Sequence, residues 1–500
     1  MRGRSTGHSI GRRGALLVVG VLLAGVLLAA ALLPIAGAES SAAASRPATL
    51  AWSDCGDGLE CARLKVPLDD AQRGGPTISL ALIRAPARDP EHRIGSLVVN
   101  PGGPGGSGVD YLRAAASSFS DVLRDRFDLV SFDPRGVGAS APVECHADLD
   151  AYYALDFDPD DQAEREQMEA GAQALVQACE RSAGAELPYL TTDRAARDLD
   201  RIRKALGDRR LTYLGYSYGT YLGAWYAQQF PKRVRALVLD GPIDPALDAT
   251  AMQVQQAVGF ERSLDLFLAQ CASDRSCAFS RDGGAAAAYD ALRARLEGAP
   301  VPTKDGSGRE FSGSLFDIGV TEILYRGKDY FPDLARALDA ADRGNVSRLL
   351  EAADRYTYRH SDGSYDNVQD AFLAIGCADG PPVGGPSGLA AIEAEAARQA
   401  PRLGRTIVNG SLPCAFWPVA APPPAALHAR GAAPILVLGT RNDPATPFAW
   451  AEGLASELES GVLVTIEGER HTAYPGNDCV NRVVEDYLVR GAVPTTPEHC

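Results

Sequence analysis

Leu211-Thr212-Tyr213-Leu214-Gly215-Tyr216-Ser217-Tyr218-Gly219-Thr220 is the stretch on which the reading of this chain turns. A short apolar strand, 211–214, runs into a Gly-x-Ser-x-Gly turn. The residues after it predict a helix over 220–230 that stops before Pro231. A serine raised on a sharp strand-to-helix turn is exposed above a sheet, at the positive end of the following helix. The backbone angles there are strained, and glycines on either side remove side chains that would clash. A five-residue pattern can arise by chance, but its strand–turn–helix setting makes Ser217 the candidate nucleophile.

The surroundings repeat the same alternation. Upstream, strands are predicted over 77–83, 94–100 and 127–132. Between the last of these and Ser217, residues 160–206 read as helices. The clearest covers 193–206, with Ala196, Leu199, Ile202 and Leu206 on one face and Gly207 as its stop. Downstream come strands over 234–239, 434–438 and 462–466, then a helix near 481–489. Apolar strands alternating with amphipathic helices imply an α/β protein, with a mostly parallel sheet covered on both faces. With the serine turn inside it, this is the α/β-hydrolase fold. From 244 to 430 the strand signal disappears and helical spacing takes over, as in 263–268 and 334–350. The expected organisation is a core over 52–243 and 431–500, interrupted by a mainly helical lid over 244–430.

A serine hydroxyl needs a base to take its proton and an acid to orient that base. In this fold the chain order is serine, acid, histidine. His471 follows the strand 462–466, where the last sheet strand delivers a base. His92, His146, His360 and His428 precede the acid, and His499 lies at the extreme C-terminus. Asp443, in the loop after 434–438, is the expected acid, with Asp240 as runner-up. The run Gly102-Gly103-Pro104-Gly105-Gly106-Ser107-Gly108 lacks the lysine and spacing of a phosphate loop. After this early strand it supplies a backbone N–H to an oxyanion hole, expected from Gly103 with Gly102 close behind; the second donor is the N–H of Tyr218. Asp133-Pro134-Arg135-Gly136-Val137-Gly138 reads as a structural turn in which Arg135 braces nearby loops.

The first residues stand apart from the fold. Arg2, Arg4, Arg12 and Arg13 precede an unbroken apolar run from Ala15 to Leu33, then Ala36-Gly37-Ala38. This is the layout of a secretory signal peptide over 1–38 with cleavage before Glu39, followed by a flexible lead-in over 39–51. Arg12-Arg13 also fits a twin-arginine signal, and if uncleaved the apolar run is long enough to anchor the chain in a bilayer. Removing 1–38 takes away four arginines and no acid, so formal net charge moves from −15 to −19. That argues against nucleic acid and anionic membranes as partners. All ten cysteines follow the signal, and an even count in an exported chain reads as disulfides. No metal and no cofactor are expected. Connectivity does not follow from sequence; pairing of neighbours (55–61, 145–179, 271–277, 377–414, 479–500) is the working expectation.

Taken together, Asn100-Pro101-Gly102-Gly103-Pro104-Gly105, the 133–138 turn and Gly215-Tyr216-Ser217-Tyr218-Gly219-Thr220 resemble the exported tripeptidyl aminopeptidases of actinobacteria, relatives of the proline iminopeptidases. Ala374-Ile375-Gly376-Cys377-Ala378-Asp379, Asp443 with Thr446-Pro447, and His471-Thr472 extend the likeness, which runs from about Trp52 onward. The resemblance implies removal of short peptides from free N-termini, with Ser217, Asp443 and His471 on the triad positions. Proline iminopeptidases usually open the glycine loop with histidine. Asn100-Pro101 here fits the tripeptidyl branch better. A substrate ammonium calls for a buried carboxylate. Asp379 is the candidate, with Asp317 and Glu322 as alternatives. The expected partner is a peptide substrate met by a secreted or cell-surface monomer. A secreted ester hydrolase is the second reading; a catalytically silent binding protein on the same scaffold is the third.

Overall fold

The computed structural model describes residues 50–281, 284–380, 382–420, 422–494 and 498–500, which fall in one compact unit, Pro47–Cys500. The expected signal peptide, 1–38, and residues 39–49 of the lead-in lie outside the described residues. None of the described helices is long and apolar enough to cross a membrane.

Each strand expected from the apolar runs is present: β3 (Thr77–Ala85), β4 (Gly95–Asn100), β5 (Phe127–Phe132), β6 (Leu211–Tyr216), β7 (Val234–Asp240), β10 (Ile435–Thr440) and β11 (Gly461–Ile466). Three more in the same sheet were not expected, β1 (Ser53–Asp54), β2 (Glu60–Pro67) and β12 (Glu498–His499). In β2 the side chains of Ala62, Leu64 and Val66 are buried and those of Arg63 and Lys65 exposed. That is period-two alternation hidden by its charges. The strands form one ten-stranded sheet in the order β1-β2-β3-β5-β4-β6-β7-β10-β11-β12. Pairing is antiparallel from β1 to β5 and parallel from β5 to β12.

The central strands β4, β5, β6 and β10 are buried along their whole length, as a sheet covered on both faces requires. One face packs Val98, Tyr213, Leu237 and Val437 against Leu199 and Ile202 of the helix Thr192–Ala205. The other packs Leu97, Leu214, Val238 and Leu436 against Val484 and Leu488 of the helix Asp478–Arg490. Between β7 and β10 the described chain is helical apart from a two-stranded ribbon, β8 (Val301–Pro302) with β9 (Glu310–Phe311). These helices bury their own cluster, including Phe267, Tyr289, Phe316 and Leu338. The helix Val368–Asp379 is pinned to the core at its start. There Asn367 accepts from the Gly138 N–H and donates to the carbonyls of Gly136 and Val143.

All ten cysteines are paired, each with its neighbour in sequence: 55–61, 145–179, 271–277, 377–414 and 479–500. The 133–138 turn acts as the brace its sequence implies. Arg135 is 1% exposed and meets the equally buried Asp198 at 2.8 Å. Its other donors go to the carbonyls of Pro67, Leu68 and Tyr189, tying three loops together. Asp133 accepts from Ser107 Oγ and the N–H groups of Val109 and Ala139, which fixes the far end of the glycine loop.

Burial pushes Asp198 up to about 6 even with the guanidinium beside it, so removing that cation leaves a costly buried charge. Arg135→Met is expected to cost about 3–5 kcal/mol at pH 8, read from denaturant unfolding. A carboxyl with a raised folded pKa loses stability as pH rises through that value. The deficit of the variant should therefore shrink toward pH 5.

Candidate active site

The helix Tyr218–Gln229 starts one residue after Ser217, earlier than the sequence suggested, so the serine itself is the turn. Its backbone sits at φ 51°, ψ −123°, a region that side-chain-bearing residues seldom occupy. The turn is pinned on both sides. Ser217 N–H donates to the Asp240 carbonyl at 2.9 Å, and Thr220 Oγ1 donates to the Ser217 carbonyl at 2.5 Å. A Cβ on Gly215 would lie 2.3 Å from the Gly219 carbonyl oxygen, and one on Gly219 would lie 2.7 Å from that of Asn100. Only glycine fits at either position.

The glycine loop lies against this turn. Gly102 has φ +96°, and a Cβ there would come within 2.5 Å of the Tyr216 carbonyl oxygen. Its N–H is taken by the buried Asn100 Oδ1 at 3.1 Å. The N–H groups of Gly103 and Tyr218 have no hydrogen-bond partner among the described residues. Of the two glycines weighed from sequence, Gly103 is the one left able to donate.

Asp443 and His471 meet at the carboxyl ends of β10 and β11. His471 Nδ1 lies 2.8 and 2.9 Å from the two Asp443 oxygens. The carboxylate is fully buried and also accepts from the N–H groups of Ala445 and Thr446 and from Thr446 Oγ1. The other ring nitrogen, Nε2, is buried without a partner among the described residues. Asp240, the runner-up acid, does not reach the imidazole. Its carboxylate accepts from the N–H groups of Ala473 and Tyr474 at 2.8–2.9 Å, which holds the histidine loop, and burial pushes it up to about 6. His92, His360 and His428 are engaged at the surface with Asp89, Asp366 and the Glu457 carbonyl, and His146 and His499 are exposed.

Ser217, Gly103 and Tyr218 open onto a cavity of 810 Å³ between the sheet and the helices. Its walls are mostly apolar and aromatic, with Tyr152, Trp225, Phe260 and Trp417 among them, and its only charged lining among the described residues is Asp370 and Asp379. Asp370 is tied to the Cys145 N–H. Asp379 Oδ2 accepts from Thr192 N–H and Thr192 Oγ1, both at 2.6 Å, and Thr192 Oγ1 also meets the Tyr218 hydroxyl. Asp379 has no cationic partner among the described residues, and burial pushes it up to about 7 against the pull of Thr192. The two alternatives fare differently. Asp317 is held by Arg293 and Thr406, Glu322 is held by Arg355, and neither lines the cavity.

Two neighbours were given no role from the sequence. Tyr325 packs its ring 4.8 Å from that of His471, with its hydroxyl beside Ser217. Thr446 Oγ1 touches both the acid and the imidazole. The segment Thr321-Glu322-Ile323-Leu324-Tyr325 carries no local chemical pattern. Thr446 stands three residues from Asp443, a spacing that could have flagged it as a partner of the carboxylate.

Residues 95–284 match the family described as alpha/beta hydrolase fold, and residues 400–500 match the family described as TAP-like protein. Serine protease Hip1 of Mycobacterium tuberculosis is 37% identical, over 89% of this chain and 87% of its own. Carboxylesterase B of the same organism is 38% identical over 97% of each chain. The tripeptidyl aminopeptidase of Streptomyces lividans is 30% identical, over 93% of this chain and 89% of its own. The chain therefore belongs to the tripeptidyl-aminopeptidase-like family of α/β-hydrolase-fold serine hydrolases.

Proposed function

We propose that Ser217, His471 and Asp443 are the catalytic triad of an exported aminopeptidase that releases short peptides, tripeptides above all, from free N-termini. The observation that carries this reading is an imidazole clamped by a buried carboxylate on one nitrogen and unpartnered on the other among the described residues, with Tyr325 packed against its ring and reaching the strained Ser217 through its hydroxyl. His471 Nε2 takes the Ser217 proton as Oγ attacks the scissile carbonyl carbon. The oxyanion accepts from the N–H groups of Gly103 and Tyr218, and Asp443 stabilises the imidazolium. The same proton then passes to the leaving nitrogen, the C–N bond breaks, and an acyl-enzyme remains on Ser217. Water repeats the sequence in reverse and restores the serine.

The helical segment 244–430 acts in this reading as a lid that roofs the cavity. Asp379, a carboxylate with no cation beside it, is its ammonium anchor. The signal layout of 1–38 and five disulfides support action outside the cytoplasm, at the cell surface or beyond it. The apolar cavity and the relative named carboxylesterase B favour ester hydrolysis as the second reading. Hydrolysis of tripeptidyl anilides against short acyl esters separates the two. Anilide turnover lost in Ser217→Ala is expected. Strong ester turnover with no anilide cleavage by the wild type would overturn the peptidase reading.

Asp379→Asn should raise KM for peptides with a free N-terminus by about 10–100-fold, the range of a lost charge-assisted hydrogen bond. N-acetylated peptides should be affected far less. An equal loss on both would remove Asp379 from the anchor role. The wild type carries the anchor charge above about pH 7. A peptide α-amine keeps its proton below about 8. KM for free N-termini should therefore be lowest between these values and rise on both sides, with no such minimum for the acetylated series.

Asp240 holds the histidine loop through its two oxygens. Asparagine would keep one acceptor and set an amide donor against the Ala473 N–H. Asp240→Asn is expected to lower kcat roughly 10–100-fold with KM little changed, the signature of a displaced base. Steady-state kinetics on one anilide, with melting temperature as the control for folding, checks it.

A further inference from the structure

Six large apolar side chains are well exposed among the described residues, and four of them are aromatic: Tyr325 38%, Tyr356 42%, Tyr358 45% and Phe372 48%. Scattered exposure of this kind is ordinary; clustering is not. Three of these, Tyr325, Tyr356 and Phe372, line the cavity, and Tyr358 stands near Tyr325. Tyr325 closes the helix Gly313–Tyr325, and Tyr356 lies near the end of the helix Ser347–Thr357 packed against it. Tyr358 comes next in a left-handed turn, with φ 57°. The phenols of Tyr356 and Tyr358 stand close enough to Tyr325 to oppose its ionisation. Gln369 Nε2 donates to the Tyr356 carbonyl, and Phe372 sits one turn further along the same helix face. Tyr325, Tyr356 and Phe372 all line the cavity as well as facing outward.

The chemistry gives this patch a direction. With the acyl carbon on Ser217 Oγ and its oxygen at Gly103 and Tyr218, the acyl chain extends toward Asp379, the proposed ammonium anchor. The leaving group takes its proton from His471 Nε2, so it departs on the side of the acyl carbon where that imidazole stands. Tyr325 packs tilted against that ring, 4.8 Å between centroids, with its hydroxyl beside Ser217; Tyr356 and Tyr358 stand near Tyr325, and Phe372 lines the same cavity. We infer that the four rings form a leaving-group subsite for an aromatic or large aliphatic side chain immediately beyond the scissile bond. This rests on the triad reading above, and it holds for an amine or an alcohol leaving group alike. The enzyme should then select among leaving groups by their side chains, a choice that the anchor at Asp379 cannot supply.

The test uses two matched substrate pairs with one tripeptidyl acyl group. The first pair is esters of methanol and 2-phenylethanol. The second is pentapeptides ending in Gly-Gly and Phe-Gly. The wild type should favour the aromatic member of each pair by about 10-fold or more in kcat/KM, the size expected from burying one ring against others. The double variant Tyr356→Ser with Phe372→Ser should bring that ratio close to one. If its melting temperature shows it unfolded, Tyr358→Ser alone should reduce the ratio.

No aromatic preference in the wild type, or a preference that survives the variants, would overturn the assignment. So would an unchanged ratio accompanied by lost sedimentation with phosphatidylcholine vesicles or lost self-association, which would give the patch to a membrane or a second copy. Failure of the peptidase reading is distinguishable: the pentapeptides would go uncut while the ester ratio still reported on the rings.

Discussion

Ser217 keeps a left-handed backbone at a position where a side chain makes that conformation costly, on the order of 1–3 kcal/mol. Such strain persists only where the surroundings leave no alternative. Here Asp240 at the end of β7 accepts the serine's own N–H through its main chain, and Thr220 returns a hydrogen bond from the helix to the serine carbonyl. Gly102, Gly215 and Gly219 then let three stretches of backbone approach more closely than any Cβ permits. The N–H groups proposed for the oxyanion flank that approach. Gly102 touches the turn at Tyr216–Tyr218 and gives its own N–H to Asn100, which leaves the next N–H, that of Gly103, unengaged among the described residues.

Two carboxylates at the ends of adjacent strands divide the remaining work. Asp240, at the end of β7, commits both oxygens to the backbone at 473–474 and so sets where the histidine loop runs. Asp443, just beyond β10, commits one oxygen mainly to its own turn and shares both with the imidazole. The first fixes position and the second fixes the tautomer and charge of the ring. Both are held in place by the parallel registry of β7, β10 and β11, which brings their carboxyl ends together. A parallel sheet delivers every such end to one edge, which is why residues 217, 240, 443 and 471 can converge from distant parts of the chain.

The sequence was legible where a function is local in the chain. The turn at Ser217, the glycine loop and the strand-end positions of Asp443 and His471 each need a particular residue beside a particular element. Gly103 and Gly102 could not be separated that way, because the choice depends on the Asn100 side chain folding back. Strand β2 was missed because its exposed Arg63 and Lys65 break the apolar run that marks a buried strand. Tyr325 was missed for a different reason. Its role comes from a helix of the inserted segment lying over His471, a contact between residues far apart in sequence. Asp317 and Glu322 looked equivalent to Asp379 as sequence and ceased to be so once Arg293 and Arg355 were found beside them.

That last contrast says how the cavity discriminates. The helices between β7 and β10 carry many acids, and several buried ones have a guanidinium in contact: Asp317 with Arg293, Glu322 with Arg355, Glu393 with Arg165. An ionised carboxylate in an apolar wall is unfavourable unless a cation or several donors meet it. Among the described residues the Asp379 carboxylate has only Thr192, and its raised pKa records the shortfall. A ligand that brings a cation to this point supplies the missing partner, and one that brings a carboxylate adds a second unmet charge. Because Thr192 links Asp379 to the Tyr218 hydroxyl, the proposed ammonium anchor is joined by two hydrogen bonds to the residue proposed as an oxyanion donor. In that reading, charge recognition in the cavity and transition-state binding at Ser217 rest on one short chain of side chains.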